Sequence, residues 1–174
     1  IAVDTDVTEQ VLNYKKTQEA ELKARMAIES ADLGLFEIEL ESSSLKTDER
    51  FNEIFGVEKI TLRKDVIPVF HPEDRDLVNM ANEEAIQTGY LSVEYRIIHK
   101  DRSIHWIKSN GKVIVGENGK PEKIYGVIQD VTSLKEINQQ KDYYISIVSH
   151  ELNTPVKSMR ITSYILLELL ANAD

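Results

Sequence analysis

His150, Glu151 and Thr154 stand close together near the end of the chain, in the run Ser149-His150-Glu151-Leu152-Asn153-Thr154-Pro155. An imidazole beside a carboxylate is equipped for nucleophilic chemistry. The carboxylate orients one ring nitrogen and raises the nucleophilicity of the other. Such chemistry needs an accessible ring. From about Ser133 to about Leu170 the sequence reads as one long helix. On a wheel of about 100° per residue with His150 at zero, Val148, Leu152, Val156, Met159, Leu166 and Leu170 fall between about 160° and about 240°. The apolar seam therefore faces away from His150, leaving the imidazole where a second molecule can reach it. A solvated histidine opposite a core stripe, with no chemistry of its own, is the competing reading. Thr154 lies one turn on and shares the His150 face. Pro155 has no N–H to give the carbonyl of Glu151, which predicts a bend beside the histidine. The apolar pattern continues through Met159 to Leu170, which argues against the helix ending there.

The whole string resembles the H-box of histidine kinases, in which a phosphoacceptor histidine is followed by Glu-Leu-x-Thr-Pro. His150, Glu151, Leu152, Thr154 and Pro155 all stand at matching places, and Asn153 replaces the usual arginine. The resemblance implies that His150 accepts the γ-phosphoryl of ATP and that Glu151 is the adjacent acid–base group. It implies that Thr154 positions water when a phosphorylated response regulator is dephosphorylated. ATP and Mg²⁺ would be bound by a separate catalytic domain. The sequence carries no glycine-rich ATP lid and no Asp-x-Gly-x-Gly string, so no cofactor is expected on these residues and no autophosphorylation from them alone.

Composition narrows the alternatives. The 174 residues allow one ordinary domain plus extra helices. A net charge of −9 argues against a basic face for nucleic acid. With no cysteine, disulfides and thiolate metal sites are excluded. No apolar run reaches the ~20 residues that span a bilayer, and no signal peptide is visible. Starting at Ile1, the sequence reads as a fragment. The expected location is cytoplasmic, with a membrane span upstream left open.

Before the histidine helix the chain falls into further parts. From about Thr8 to about Ser30 a polar helix is predicted, with a seam of Val7, Val11, Tyr14 and Gln18 that shifts to Leu22 and Met26. It needs a partner: the same helix of a second subunit, which we favour, or its own domain. Leu35–Leu40 alternates as a strand, and Ser42-Ser43-Ser44 turns into a second short one. Asp48 and Gly56 bracket a short helix as N-cap and C-terminal stop. His71-Pro72-Glu73-Asp74 opens a longer helix, with Leu77, Ala81 and Ala85 as its buried face and Gly89 as its end. Strands at Leu91–His99, Ile104–Val115 and Lys123–Val131 follow as an antiparallel meander. The class is α+β.

That order resembles a PAS domain with its C-terminal PAC segment, over roughly residues 26–132. The matching strings are Phe51-Asn52-Glu53-Ile54-Phe55-Gly56, His71-Pro72-Glu73-Asp74-Arg75, Glu94-Tyr95-Arg96, His105-Trp106-Ile107 and Gly126-Val127-Ile128-Gln129-Asp130-Val131-Thr132. Arg102 stands where many relatives have a turn glycine. The fold implied is an antiparallel sheet with flanking helices, set between the N-terminal helix and a long C-terminal signalling helix. Phe36, Ile38, Phe55, Phe70, Tyr95, Trp106 and Val127 are candidates to line a ligand cavity; filling a close-packed core is the alternative. Without cysteine the flavin type that forms a thiol adduct is excluded. His71 reads as a helix start, and His99 and His105, flanking a hairpin turn, read as solvated rather than as haem ligands.

Asp130-Val131-Thr132 resembles the motif that closes many PAS domains, and Asp130 and Thr132 are candidates for signal coupling. Thr132 or Ser133 can cap the next helix, and Ser133 with Glu136 fits a capping box. Leu134, Ile137, Lys141, Tyr144 and Val148 then continue a heptad-like seam. The expected organisation is an N-terminal helix at 1–25, a PAS/PAC domain at 26–132, a linker helix at 133–144 and the first helix of a dimerisation and phosphoacceptor domain at 145–174. The expected partners are a second copy in a homodimer, the catalytic domain and a response regulator. A non-catalytic PAS ligand-binding or dimerisation module with a scaffold helix is the alternative.

Overall fold

The computed structural model describes the backbone of residues 3–171 and the side chains of residues 9–151. The chain divides into two compact units, Ile1–Val131 and Thr132–Asp174. In the first, helix α1 (Val3–Ser30) precedes strand β1 (Gly34–Glu39), strand β2 (Leu45–Thr47) and helix α2 (Glu49–Phe55). Single 3₁₀ turns lead to helix α3 (Arg75–Thr88), followed by β3 (Tyr90–Ile98), β4 (Ile104–Val115) and β5 (Pro121–Asp130). The second unit is helix α4 (Thr132–Ala171).

Local chemistry sets the ends of α2. The Asp48 side chain caps it, Oδ1 accepting from the Phe51 amide at 2.7 Å and from the Leu35 amide at 2.9 Å. One carboxylate thus ties the helix start to β1. Gly56 stops the helix in the left-handed conformation, at φ 63°. The sheet has the order β2-β1-β5-β4-β3, antiparallel throughout, so the last strand lies at its centre beside the first. Glycine permits the closest approaches. A Cβ at Gly34 would sit 2.7 Å from the Phe51 Cα, and one at Gly126 would collide with the Phe36 ring. The Phe36 ring therefore packs directly on Gly126 of β5, and α2 comes close to β1 at Gly34.

The core fills the space between one sheet face and α2 and α3. Aromatic rings run through it. Phe51 stacks on Phe55 at 4.4 Å, Phe55 meets Phe70 edge-on at 6.1 Å, and Phe70 meets Tyr95 edge-on at 5.1 Å. The buried face of α3 departs from expectation. Val78, Asn82 and Ala85 point inward, Ala81 is half-buried, and Leu77 is 47% exposed. The inward stripe carries a polar residue, so apolarity alone misplaces it by about one residue.

α4 is continuous helix through Pro155. Among the described residues, no helix is long and apolar enough to cross a membrane.

Candidate sensor cavity, coupling corner and phosphoacceptor helix

A cavity of about 50 Å³ lies inside the first unit. Phe36, Ile38, Phe55, Phe70 and Tyr95, all part of the core or packed against it, line it together with Arg63, Asn82 and Ser109. Two expected residues do not. Trp106 pairs across the strands with Arg96, and Val127 pairs with Leu35 and Asn110. These positions point to the opposite sheet face, where Val127 lines an open groove with Leu35 and Tyr125. The cause is β4, which buries polar Ser109 and turns Trp106 outward, so the outward and inward sets cannot be sorted by hydropathy.

Polar groups at the cavity wall give it chemical character. Asn82 Nδ2 donates to the Val78 carbonyl at 2.6 Å, and its buried Oδ1 has no hydrogen-bond partner. Burial pushes the Tyr95 phenol far above its ordinary range, so it stays a neutral hydroxyl beside Ser109. Burial also lowers the affinity of Arg63 for its proton. At about 50 Å³ the space suits water or a very small molecule with both donors and acceptors.

His71, Glu73 and Asp74 bring their ligand atoms within 4.8 Å of one another. A cation already serves the two acids. Arg96 Nη2 donates to Asp74 Oδ1 at 2.6 Å and to Glu73 Oε2 at 2.9 Å, and its Nε donates to Asp74 Oδ2 at 2.9 Å. The Arg96 amide also donates to Asp74 Oδ2, at 2.8 Å. These bonds clamp the start of α3 onto β3 and hold the Asp74 carboxyl below its ordinary value of 3.8.

Replacing Asp74, which is only 8% exposed, by Ala is expected to cost about 2–3 kcal/mol at neutral pH, as hydrogen bonds to a charged group are lost. A carboxyl held low when folded stabilises above its unfolded value, and the gain disappears as pH falls through its folded value. Urea midpoints should therefore show the gap between wild type and Asp74→Ala narrowing steadily as pH falls from about 5 into the acid range. A gap that stays constant over that range would contradict the assignment.

The same arginine reaches the exit of the domain. Its guanidinium carbon lies 5.6 Å from the centre of the Trp106 ring. The Trp106 carbonyl accepts from the Val131 amide at 2.8 Å, one residue before α4 begins. Asp130 Oδ2 lies 2.9 Å from His105 Nδ1. His99 and His105, expected in solvent, are half-buried and stack at 4.1 Å, with His99 Nε2 2.8 Å from the Ile54 carbonyl. No periodicity could have shown this pairing. The remaining clue was two histidines at opposite ends of one tight turn.

Residues 44–128 match the PAS fold family. The sheet and its helices form a PAS domain. The chain is 26% identical over 148 residues to a blue-light-activated histidine kinase of Brucella ovis, covering 83% of this chain and 29% of that protein. It is 39% identical over 63 residues to the sensor histidine kinase WalK of Bacillus subtilis, covering 36% of this chain and 10% of that protein. The chain thus spans less than a third of the length of either relative. Among solved structures, a sensory box histidine kinase/response regulator from Burkholderia thailandensis superposes with a TM-score of 0.62 at 22% identity, covering 74% of this chain and 98% of that one. The PAS domain is homologous to the sensor domains of histidine kinases.

His150 and Glu151 lie on α4, and both side chains are exposed. The side chain of Thr154 lies outside the described residues. α4 starts at Thr132, two residues after Asp130 ends β5, so Val131 alone separates the last strand from the helix in sequence.

Proposed function

We propose that this chain is the PAS sensor and phosphoacceptor portion of a histidine kinase in a two-component pathway. The observation that carries this is the string His150-Glu151-Leu152-Asn153-Thr154-Pro155 on a helix that starts where a PAS domain ends. Homology to histidine kinase sensor domains supports it.

A ring nitrogen of His150 attacks the γ-phosphorus of ATP. An N–P bond forms, the bond to the β-phosphate oxygen breaks, and ADP leaves. Glu151 holds the proton on the other ring nitrogen and offsets the positive charge that develops. The phosphoryl group then passes to an aspartate of a response regulator. Thr154 orients the water that hydrolyses the aspartyl phosphate of the regulator, releasing inorganic phosphate. A separate domain supplies ATP and Mg²⁺, since positioning and charge neutralisation dominate such transfers.

The chain works as a parallel homodimer. Leu134, Ile137, Tyr144 and Val148 are each more than half exposed along α4, and Val11, Tyr14, Leu22 and Met26 along α1, at least half exposed, also lack cover. Stripes of this spacing are seams for a second helix. The cavity around Asn82 and Tyr95 and the exit corner at Asp130 and Thr132 form the input side.

The test is labelling with γ-³²P ATP. The chain alone should stay unlabelled, and adding the ATP-binding domain of its own kinase should label it. Labelling of the chain alone, or none in the mixture, would count against the assignment.

A further inference from the structure

Val78 and Asn82 stand one turn apart on the inward stripe of α3. The Val78 carbonyl has no proton to give, so the Asn82 atom that faces it at 2.6 Å is the amide nitrogen, and Oδ1 is the atom left over. Asn82 is only 7% exposed, and its Oδ1 has no hydrogen-bond partner among the described residues. Buried polar atoms are ordinarily paired, so Oδ1 calls for a donor from outside those residues. The two hydroxyls of the cavity wall are engaged with each other, Ser109 with the Tyr95 phenol.

Arg63 brings a second unmet demand. It opens the 3₁₀ turn Arg63–Asp65, where its amide donates to the Ser43 carbonyl at 3.1 Å. Its half-buried side chain lines the cavity and forms no ion pair among the described residues; the carboxylate that it feels, Glu83, is exposed and acts through space. A guanidinium keeps its charge at neutral pH, and a cation taken partly out of water gains from an anion placed against it. The rest of the wall is hydrocarbon, with Phe36, Leu45, Val78 and Ile128 among its residues, so an occupant also needs an apolar part. A volume of about 50 Å³ limits it to about four to six heavy atoms.

We propose that the cavity binds a small hydroxycarboxylate. The carboxylate oxygens accept from the Arg63 guanidinium, the hydroxyl donates to Asn82 Oδ1, and the short carbon chain lies against the apolar wall. Inorganic anions offer the charge without the apolar part, and short alcohols offer the donor without the charge. The ligand fills the input side of the proposed kinase, and its binding is separate from the chemistry of His150: ligand affinity and labelling of His150 are measured independently, so either can fail without the other.

The experiment titrates the whole chain with three molecules of nearly one shape: lactate, propionate, which lacks the hydroxyl, and propane-1,2-diol, which lacks the charge. Calorimetry gives the affinities, and the ¹⁵N–¹H signals of the Asn82 side-chain amide and the Arg63 Nε–H locate the site. Lactate should bind about tenfold more tightly than propionate, because a buried acceptor then keeps its donor. It should exceed the diol by about tenfold to hundredfold, the worth of a hydrogen bond to a charged group. Asn82→Ala should bring lactate and propionate level. Arg63→Gln should weaken both acids about equally and leave the diol unchanged. The comparison of lactate with propionate on the wild type needs no variant, so it decides even where Asn82→Ala does not fold. No binding of lactate at millimolar concentration, equal binding of propionate, or tighter binding of inorganic phosphate would each overturn the assignment, as would a preference for lactate that survives Asn82→Ala.

Discussion

His150→Gln brings phosphoryl labelling in the reconstituted mixture down to background. Glutamine retains polarity and much of the length of histidine but has no nucleophilic nitrogen. The side chain is exposed, so the replacement leaves the helix and the PAS core intact. Circular dichroism and sedimentation should match wild type, which separates loss of chemistry from loss of fold. Glu151→Gln keeps the acceptor and removes only the charge, so labelling should slow by about a hundredfold, at the lower end of general acid–base contributions. If both variants label like wild type, α4 is a scaffold and the chain is a binding or dimerisation module.

Phe55→Ala is the substitution expected to damage the fold most. The ring is 1% exposed, stacked on Phe51 with the planes 8° apart and met edge-on by Phe70. Removing it opens a hole where α2, the cavity and β3 converge. The cost is about 4 kcal/mol, which in a domain of about 100 residues lowers Tm by about 15–25 °C. Domains of this kind hold only about 5–15 kcal/mol in total, so the variant should sit near the edge of folding. Phe55→Leu keeps most of the volume and should cost less than about 1.5 kcal/mol. Calorimetry or urea unfolding measures both. A loss under about 1 kcal/mol for the alanine variant would mean that the aromatic chain re-closes around the gap.

Much of the fold was legible because single residues announce their geometry. Asp48 and Gly56 bracketed α2 by capping chemistry, and Gly89 ended α3 in the same way, at φ 85°. The alternation that puts Val93, Tyr95 and Ile97 on one side of the Leu91–His99 strand placed the inward face of β3, which Leu91 also joins. The misses arose where polarity and burial part company. Asn82 and Ser109 are polar and buried, while Leu77 is apolar and half-exposed and Trp106 sits on the outer face. Those positions rotated the expected face of α3 and placed Trp106 and Val127 in the cavity. The His99–His105 pair was invisible because its partners come from α2 and β5, far away in sequence. At the other end of the chain, the string from Ser149 to Pro155 is read from residue types alone, and the side chain of Thr154 lies outside the described residues.

The most direct test is to locate the phosphoryl group. The labelled chain should be digested at neutral pH, where phosphohistidine survives, and the peptide spanning Ser149–Arg160 sequenced by fragmentation mass spectrometry. The expected result is a single phosphoryl group on the His150 ring, absent from Ser149 and Thr154. A phosphoryl group on any other residue of this chain would contradict the account.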